Sequence, residues 1–527
     1  MLWIAGDTDR IWNILISAVS INLGYIGLRA VLEEWIMMQT RRTLLRQAAN
    51  LSAGLALGPK LLLGLTPREP LPLTIGSQPP AKLPANFIGL GYEMSSVAPL
   101  GLLSPGNQGY VNLVRGLGMK GVIRVGGIVA NYTRYQTQGT IRATPKDTVI
   151  TKASLQQFRR FLDTIGWQAI WSLNFAQGTI DEAVAEARSV SAVLGNRLLC
   201  LELGNEVEAY RDNFRQPAYP YETYRGEFYR WHDAIVKAVP GAAFAAPDTA
   251  ANIAWVERMA EDAHGDVQLL TTHYYFTDQN HGKADDLLHP DPRLMNILVR
   301  LRAASTASHI PWRMCETNSF SGGGLRGVSD TFLGALWTLD YVLLLAAFGC
   351  SGVNIETGVN QLGFISPYSP IQDDSRENYS AGIPYYGMLA FAEAARGCGE
   401  IVALQLPSQP PSSLGEVTGY ALGDAGRLSA VAIINRGDSD ACVSLAQLGF
   451  HRRLHALRLL APSLFSKTNV TLAGASVDEN GNWKPTHIEP VESSSVLVPK
   501  TSAVVLLRSR SEPARRSSEP LPILRMP

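Results

Sequence analysis

The chain has 527 residues, enough for one large and one small domain, and its Lys+Arg and Asp+Glu counts are both 46. This neutral balance offers no field to attract DNA or an anionic membrane, so we expect no nucleic acid partner. The five cysteines cannot all pair, and Cys200 and Cys315 lie in apolar, strand-like runs. Free thiols and no disulfide framework are therefore predicted.

Residues 1–66 are interpreted as an N-terminal extension and an export signal. Residues 40–46 read TRRTLLR and precede an apolar stretch, which is typical of a twin-arginine signal with Arg41 and Arg42 as the pair. A basic helix start is the alternative. The signal predicts a bacterial protein that is periplasmic or secreted.

A charge-free segment at 11–28 is just long enough to span a membrane, but polar residues interrupt it. Because such a signal normally lies near the true start of translation, we favour a start at Met37 or Met38 over a membrane anchor. No stable membrane association is expected after signal removal.

Residues 87–399 alternate short apolar runs with amphipathic, helix-like stretches. The predicted strands are 87–93, 121–127, 168–175, 198–206, 242–248, 267–275, 311–318 and 352–358. This α/β pattern predicts a (β/α)8 TIM barrel, whose working residues lie at the carboxyl ends of its strands. A doubly wound sheet would need a Gly-rich phosphate loop after its first strand, and GYEMSSVAPLG is not one.

The C-terminal part has a different composition. Residues 400–508 form short β-branched segments between Gly, Pro, Asn and Asp, which predicts an antiparallel β-sandwich domain. Residues 70–86 look similar and are expected to contribute a strand to that domain. The polar, Pro-rich residues 509–527 are predicted to be a disordered tail.

Two glutamates close predicted strands, Glu206 the fourth in LELGNE and Glu316 the seventh in RMCETN. Two carboxyl groups at one barrel mouth are the minimum for glycoside hydrolysis, in which one protonates the leaving oxygen and the other attacks carbon or activates water. Other acids also lie on or near strand ends and could be the pair, or could form ion pairs with Arg124: Glu93, Glu202 and Glu356.

Several motifs resemble glycoside hydrolase family 79, which includes β-glucuronidases and heparanase. They are YEMSS, RVGG, LELGNE, THYY and ETNSFSGGG followed by SDTFLGALWTLD, and the resemblance spans about residues 70–508. It implies a retaining enzyme with Glu206 as acid/base and Glu316 as nucleophile, about 5–5.5 Å apart. The resemblance also implies that Asn205 binds the sugar 2-hydroxyl; a structural amide is the alternative.

Two further residues are expected to support the nucleophile. Tyr275 would donate a hydrogen bond to it, or else pack in the core, and Arg124 would hold the same carboxylate, or else form a structural ion pair. In the family a glycine loop, here Gly322, Gly323 and Gly324, holds a uronate carboxylate together with a tyrosine, for which Tyr368 is the candidate. A flexible linker is the alternative for the glycines.

The remaining candidate residues would bind hydroxyl groups or orient loops. Glu93 resembles an acid that binds sugar hydroxyls, unless it pairs with Arg124, and Asn131 would reach the ring although Ile128 and Val129 replace polar residues of the family. His273 is expected to orient a loop or the substrate. The nine histidines include no i, i+4 pair flanking a Glu, and neither a metal nor a cofactor is predicted.

The predicted function is a retaining exo-β-glucuronidase that releases terminal glucuronic acid, or its 4-O-methyl form, by double displacement. An endo-acting, heparanase-like hydrolase is the first alternative, and it would need a long basic cleft. A catalytically inactive carbohydrate-binding barrel is the second.

Overall fold

The computed structural model describes residues 70–76, 79–136, 147–360, 365–374, 378–406, 417–450, 453–491 and 494–508. The predicted twin-arginine signal, the segment 11–28 and the tail 509–527 lie outside these ranges. Within them, no helix combines the length and the apolar character needed to cross a membrane.

Eight of the thirteen strands described between residues 70 and 360 are parallel and close into a barrel. In chain order the strands are β1 (Leu71–Pro72), β2 (Thr74–Ile75), β3 (Ala81–Lys82), β4 (Gly89–Glu93), β5 (Val122–Gly126), β6 (Thr133–Tyr135), β7 (Thr148–Ile150), β8 (Gln168–Leu173), β9 (Leu198–Leu203), β10 (Phe244–Thr249), β11 (Leu269–Asp278), β12 (Trp312–Ser321) and β13 (Val353–Glu356). Strands β4, β5 and β8 to β13 each pair with the next, and β13 pairs with β4. Both faces of these strands are buried, which explains their nearly continuous apolar sequences.

Helices surround the barrel strands. They are α1 (Met94–Val97), α2 (Gln108–Gly116), α3 (Lys152–Ile165), α4 (Ile180–Leu194), α5 (Tyr210–Asn213), α6 (Tyr221–Ala238), α7 (Ile253–Asp262), α8 (Pro292–Ser308), α9 (Phe332–Ala347) and α10 (Ile383–Ala395). Capping boxes at Thr151 and Thr179 begin α3 and α4, and Gly166 ends α3 at φ 84°. Short 3₁₀ turns lie at Ile128–Tyr132, Gly195–Arg197, Val207–Ala209, Ala284–Leu287 and Ala446–Leu448.

The remaining strands form one separate two-stranded sheet and most of two packed sheets. They are β14 (Ile371–Asp373) and β15 (Tyr379–Ala381), which pair only with each other, then β16 (Glu400–Gln405), β17 (Val417–Asp424), β18 (Arg427–Asn435), β19 (Ala441–Ser444), β20 (Leu454–Leu460), β21 (Thr471–Leu472), β22 (Glu489–Val491), β23 (Ser495–Val498) and β24 (Ser502–Arg508). A nine-stranded sheet containing β16 to β18 packs on the three-stranded sheet β1-β19-β23 through residues such as Val431, Val443 and Val496. The predicted fold, a TIM barrel with a C-terminal β-domain, is confirmed.

Residues 70–86 contribute three two-residue strands, where the sequence predicts one. Strand β1 joins the three-stranded sheet, while β2 and β3 pair with β16 in the other. The segment divides because Pro70, Pro72 and the Pro79–Pro80 pair supply no backbone N–H for a continuous ladder.

A buried acid on α4 gives the fold a pH-dependent element. Trp171 Nε1 in β8 donates to Glu186 Oε1 at 2.9 Å, and burial raises the pKa of Glu186 to about 7 although this hydrogen bond lowers it. The folded state therefore holds a proton that the unfolded chain releases near its ordinary pKa of 4.5. The stability that Glu186 contributes is fully present below pH 4.5 and is lost as the pH rises through about 7.

When the pH is raised from 5 to 8, we expect the unfolding free energy of Glu186→Gln to rise by roughly 2 kcal/mol relative to that of wild type. The reason is that the uncharged amide has no proton to lose. Urea denaturation at the two pH values measures this difference. The exposed Glu261→Gln variant is the control and should show no change. An equal Glu186→Gln effect at both pH values would contradict the assignment.

Candidate active site

The two predicted catalytic glutamates lie close together at the barrel mouth. Glu206 follows β9 with a left-handed backbone at φ 51°, after Gly204 at φ 91°, and its amide donates to Asp248 O at 2.8 Å. Glu316 lies within β12, which continues to Ser321 and shifts its register against β11 between Thr272 and His273. One carboxylate oxygen of Glu206 and one of Glu316 are within 4.8 Å of each other. A contact this short favours the roughly 5–5.5 Å carboxyl separation of retaining enzymes over the about 6.5–9.5 Å of inverting ones.

Both oxygens of Glu316 accept hydrogen bonds. Tyr275 Oη donates to Oε1 at 2.9 Å, and Arg124 Nη1 donates to Oε2 at 2.8 Å. These two donors fix the orientation of the carboxylate, and they leave its face toward the cavity open to a substrate carbon.

Arg124 is the buried centre of a network of acids. Its Nε donates to Glu202 Oε2 at 3.0 Å, and its Nη2 donates to Asp248 Oδ2 at 2.6 Å and to Asn205 Oδ1 at 2.8 Å. Burial by itself lowers the pKa of Arg124, but the negative charges of Asp248, Glu202 and Glu316 raise it by more. The net pKa is above its usual value, so the guanidinium stays charged. Of the acids that could have paired with Arg124, Glu202 does so.

His273 connects this network to the acid/base candidate. Its Nε2 lies 2.9 Å from Asp248 Oδ1, and its Nδ1 lies 3.2 Å from Glu206 Oε1. Burial lowers the pKa of His273, but the carboxylates of Asp248 and Glu316 raise it well above its usual range. A protonated ring donates to both carboxylates and orients Glu206, whereas the sequence predicted that His273 would orient a loop or the substrate.

Asn205 faces the cavity, whereas Asn131 does not. Because an arginine can only donate, the contact with Arg124 fixes Asn205 Oδ1 as the acceptor and leaves its Nδ2 as a donor. Asn131 is buried, and its Oδ1 accepts from Tyr210 Oη at 2.6 Å. In its place Ile128, 61% exposed, forms part of the cavity wall.

The cavity at the mouth has a volume of about 780 Å³. Its wall contains the catalytic pair, the glycine loop and several acids: Glu93, Ile128, Asn205, Glu206, Ala250, Ala251, His273, Tyr274, Tyr275, Thr277, Asp278, Arg293, Glu316, Ser321, Gly322, Gly323, Glu356 and Tyr368. The structure thus brings most of the predicted residues together, with Arg124 beneath them and Asn131 behind the wall.

The glycine loop has a conformation that other residues rarely adopt. Gly322, Gly323 and Gly324 have φ values of 79°, 99° and 92°. A Cβ on Gly324 would lie 2.8 Å from Tyr368 Cβ, and the Tyr368 ring stacks on Tyr275 with centroids 6.3 Å apart. The loop and the tyrosine form one side of the cavity.

Glu93 is part of the wall and does not pair with Arg124, which was the alternative to ligand binding. Its Oε2 accepts from Val129 N at 2.9 Å, and the hydrogen bonds recorded for Arg124 all go to other residues. Burial, together with the charge of Glu316, raises the pKa of Glu93 to about 8.

Sequence reasoning missed three cavity or network residues: Asp248, Asp278 and Arg293. Asp248 stands at the end of the predicted fifth strand, so the strand-end rule could have found it, whereas Glu356 was named only as a possible member of the catalytic pair or partner of Arg124. No local signal marks Arg293, which lies in α8 and bonds back to Tyr275 O at 2.6 Å.

Among the described residues, two groups of side chains are close enough to hold a metal ion: Glu202, Asp248 and Cys315, and Glu206, His273 and Glu316. The guanidinium of Arg124 already contacts Glu202 and Asp248, and a second cation there would be repelled. The absence of a metal and of a cofactor stays a prediction.

Known proteins resemble this chain in sequence and fold. A β-glucuronidase of Aspergillus niger is 25% identical over 345 residues, covering 57% of this chain and 62% of that protein. A β-glucuronidase of Neurospora crassa is 26% identical over 337 residues, covering 53% and 57%. The chain thus spans less than two thirds of the length of these relatives. No protein-family model matches it.

Solved structures share the architecture. A 4-O-α-L-rhamnosyl-β-D-glucuronidase from Fusarium oxysporum superposes with a TM-score of 0.66 at 19% identity, covering 83% of this chain and 100% of that one. A family 51 α-L-arabinofuranosidase from Bifidobacterium longum gives a TM-score of 0.62 at 14% identity, covering 84% and 100%. These likenesses establish the fold, and the curated relatives fit the resemblance to family 79.

Proposed function

We propose that this chain is a glycoside hydrolase, a retaining exo-β-glucuronidase that releases terminal glucuronic acid or its 4-O-methyl form from glycans. One observation carries the proposal: carboxylate oxygens of Glu206 and Glu316 lie within 4.8 Å of each other in a cavity that a glycine loop also lines. The curated relatives named β-glucuronidase support the same sugar.

The reaction proceeds in two displacements. Glu316 attacks the anomeric carbon while Glu206 gives its proton to the departing glycosidic oxygen, so the carbon–oxygen bond breaks and a glycosyl ester forms. Glu206 then takes a proton from water, the water oxygen bonds to the anomeric carbon, and Glu316 leaves as a carboxylate. Inversion occurs twice, so the configuration is retained.

Neighbouring groups assist each step. Asn205 Nδ2 is the donor available to the 2-hydroxyl, a contact that strengthens as positive charge grows on the ring. His273 holds Glu206 Oε1 through Nδ1, which leaves the other oxygen to carry the transferred proton. Arg124 and Tyr275 hold Glu316 in line for attack.

The glycine loop is the proposed site for the uronate carboxylate. The amides of residues 322–324 make no recorded hydrogen bond to the part of the chain that the structure describes, so they are available to an anion. Tyr368 adds a hydroxyl on the same side, and Arg293 adds a positive charge at the rim, where its side chain is 53% exposed.

The charges of the wall favour exo over endo action. Arg293 is the one Lys or Arg among the described residues that line the cavity, whereas the wall has five acids, Glu93, Glu206, Asp278, Glu316 and Glu356. The described wall thus lacks the row of basic residues that binding along a long acidic polysaccharide would require. An inactive binding barrel would have no need for the paired glutamates.

The test compares an aryl β-D-glucuronide with the matching glucoside. We expect kcat/KM for the glucuronide to be at least about 100-fold higher, since unpaired donors in the carboxylate site penalise the glucoside. Gly322→Ala should reduce this preference about tenfold, because a Cβ strains the φ of 79° and would lie 3.1 Å from Gln279 Nε2. Gly265→Ala, at φ 100° with open space around it, is the matched control. Equal rates on both sugars would refute the proposal.

We also propose export through the twin-arginine route, on the strength of Arg41 and Arg42. Replacing both by Lys should leave the protein in the cytoplasm of a bacterial host, as cell fractionation would measure. Unchanged periplasmic recovery of the double variant would contradict the proposal.

A further inference from the structure

Five acidic residues line a cavity that, on the proposed function, receives an anion. Two of them, Glu206 and Glu316, perform the chemistry, and Asp278 is partly exposed beside His281. If the remaining Glu93 and Glu356 were also ionised, the bound uronate would meet several like charges at close range in a poorly solvated space. The cavity must therefore limit its own charge.

Contacts among the described residues do not explain why the Glu356 carboxyl group is buried. It is only 4% exposed although it lines the cavity, and its Oε2 is buried without a hydrogen-bond partner among the described residues. Its oxygen lies where a Cβ on Gly91 would come within 2.5 Å, so the absence of a side chain there makes room for it. A buried polar group left unsatisfied destabilises the fold, and a functional role is one reason to keep one.

The position of Glu356 suits contact with a sugar. Its strand, β13, lies between β12, which carries Glu316, and β4, which carries Glu93. Counted around the barrel, β13 is four strands away from β9, the strand that precedes Glu206. Glu356 therefore faces the side of the sugar that is remote from the acid/base and from the leaving group.

The titratable and charged groups that interact electrostatically with Glu356 are mostly acids and tyrosines: Glu316, Glu93, Arg124, His273, Tyr92, Tyr275 and Tyr368. Burial raises the pKa of Glu356 well above its usual range, and the charges of Glu316 and Glu93 raise it further. Arg124 and His273 act in the opposite direction but are engaged by other carboxylates.

We propose that Glu356 binds the sugar as an uncharged carboxylic acid, donating its proton to a ring hydroxyl, and that this state lets the acid-rich cavity accept a uronate. The inference rests on the proposed function and deepens it. A carboxylic acid offers both a donor and an acceptor, which matches a hydroxyl group, and it adds no charge next to the anion.

The test measures binding and does not depend on turnover. The probes are phenyl 1-thio-β-D-glucuronide and the matching thioglucoside, which resist hydrolysis, titrated calorimetrically at pH 7 and pH 9.5. At pH 7 we expect Glu356→Ala to bind both probes about tenfold more weakly, with Glu356→Gln between it and wild type, because the amide can also donate a hydrogen bond.

The pH dependence isolates the proton. Because the pKa of Glu93 is about 8, Glu93 titrates between the two pH values, so Glu93→Gln is compared with the Glu93→Gln/Glu356→Gln double variant. Between pH 7 and pH 9.5, we expect the affinity of the single variant for the thioglucuronide to fall at least fivefold more than its affinity for the thioglucoside. The double variant should lose affinity for both probes to the same extent. Equal losses in the single variant, or unchanged binding by Glu356→Ala, would overturn the inference. A wild-type protein that prefers the thioglucoside would instead overturn the proposed function, and this inference with it.

Discussion

Glu316→Ala is expected to lower kcat for an aryl β-glucuronide by about 10⁴-fold or more, because no glycosyl ester can form. Added azide should restore turnover by attacking the anomeric carbon directly, from the face where Glu316 stood. A single displacement inverts the configuration, so the product should be the α-glucuronosyl azide. Proton NMR of the anomeric product distinguishes the two anomers.

Glu206→Ala gives the complementary result. An activated aryl leaving group still departs without a proton, the ester on Glu316 accumulates, and azide then attacks it to give the β-glucuronosyl azide. The exposed Glu261→Ala variant should hydrolyse the substrate at the wild-type rate and form no azide adduct. The reverse result, the β-azide from Glu316→Ala and the α-azide from Glu206→Ala, would show that the two roles are exchanged.

Arg124→Met is expected to destabilise the fold by about 3–5 kcal/mol. The side chain has no exposed surface, and its removal leaves Glu202, Asp248 and Glu316 without their common cation. Although burial alone raises the pKa of Asp248, Arg124 and His273 hold it below its usual range, so its charge depends on this network. Urea denaturation at pH 7 measures the loss.

Arg300→Met is the matched control for the buried arginine. Arg300 binds Glu257 with two hydrogen bonds of 2.8 and 2.6 Å, but both side chains are more than a third exposed. Solvent screens such a pair, and its loss should cost at most about 1 kcal/mol. Similar losses for the two variants would mean that the Arg124 network does not act as a buried unit.

The sequence by itself determined the architecture because the relevant signals are local. Eight apolar runs separated by capped amphipathic stretches predict parallel strands, and the closed barrel has its strands at those places. The prolines of residues 70–86 are also visible in the sequence, but the sheet that each of the three short strands joins is not. The strand-end rule then placed Glu206 and Glu316 at one mouth, where the structure brings them together.

Tertiary structure decided which of the strand-end groups face one another. Asn131 and Ile128 are three positions apart, yet the turn between β5 and β6 exposes the isoleucine to the cavity and buries the amide against Tyr210. Arg293 reaches the cavity from α8, and Asp248 meets Arg124 only across the closed barrel. Such contacts depend on register shifts, on side-chain direction and on burial, which arise when distant segments pack and which no local pattern encodes.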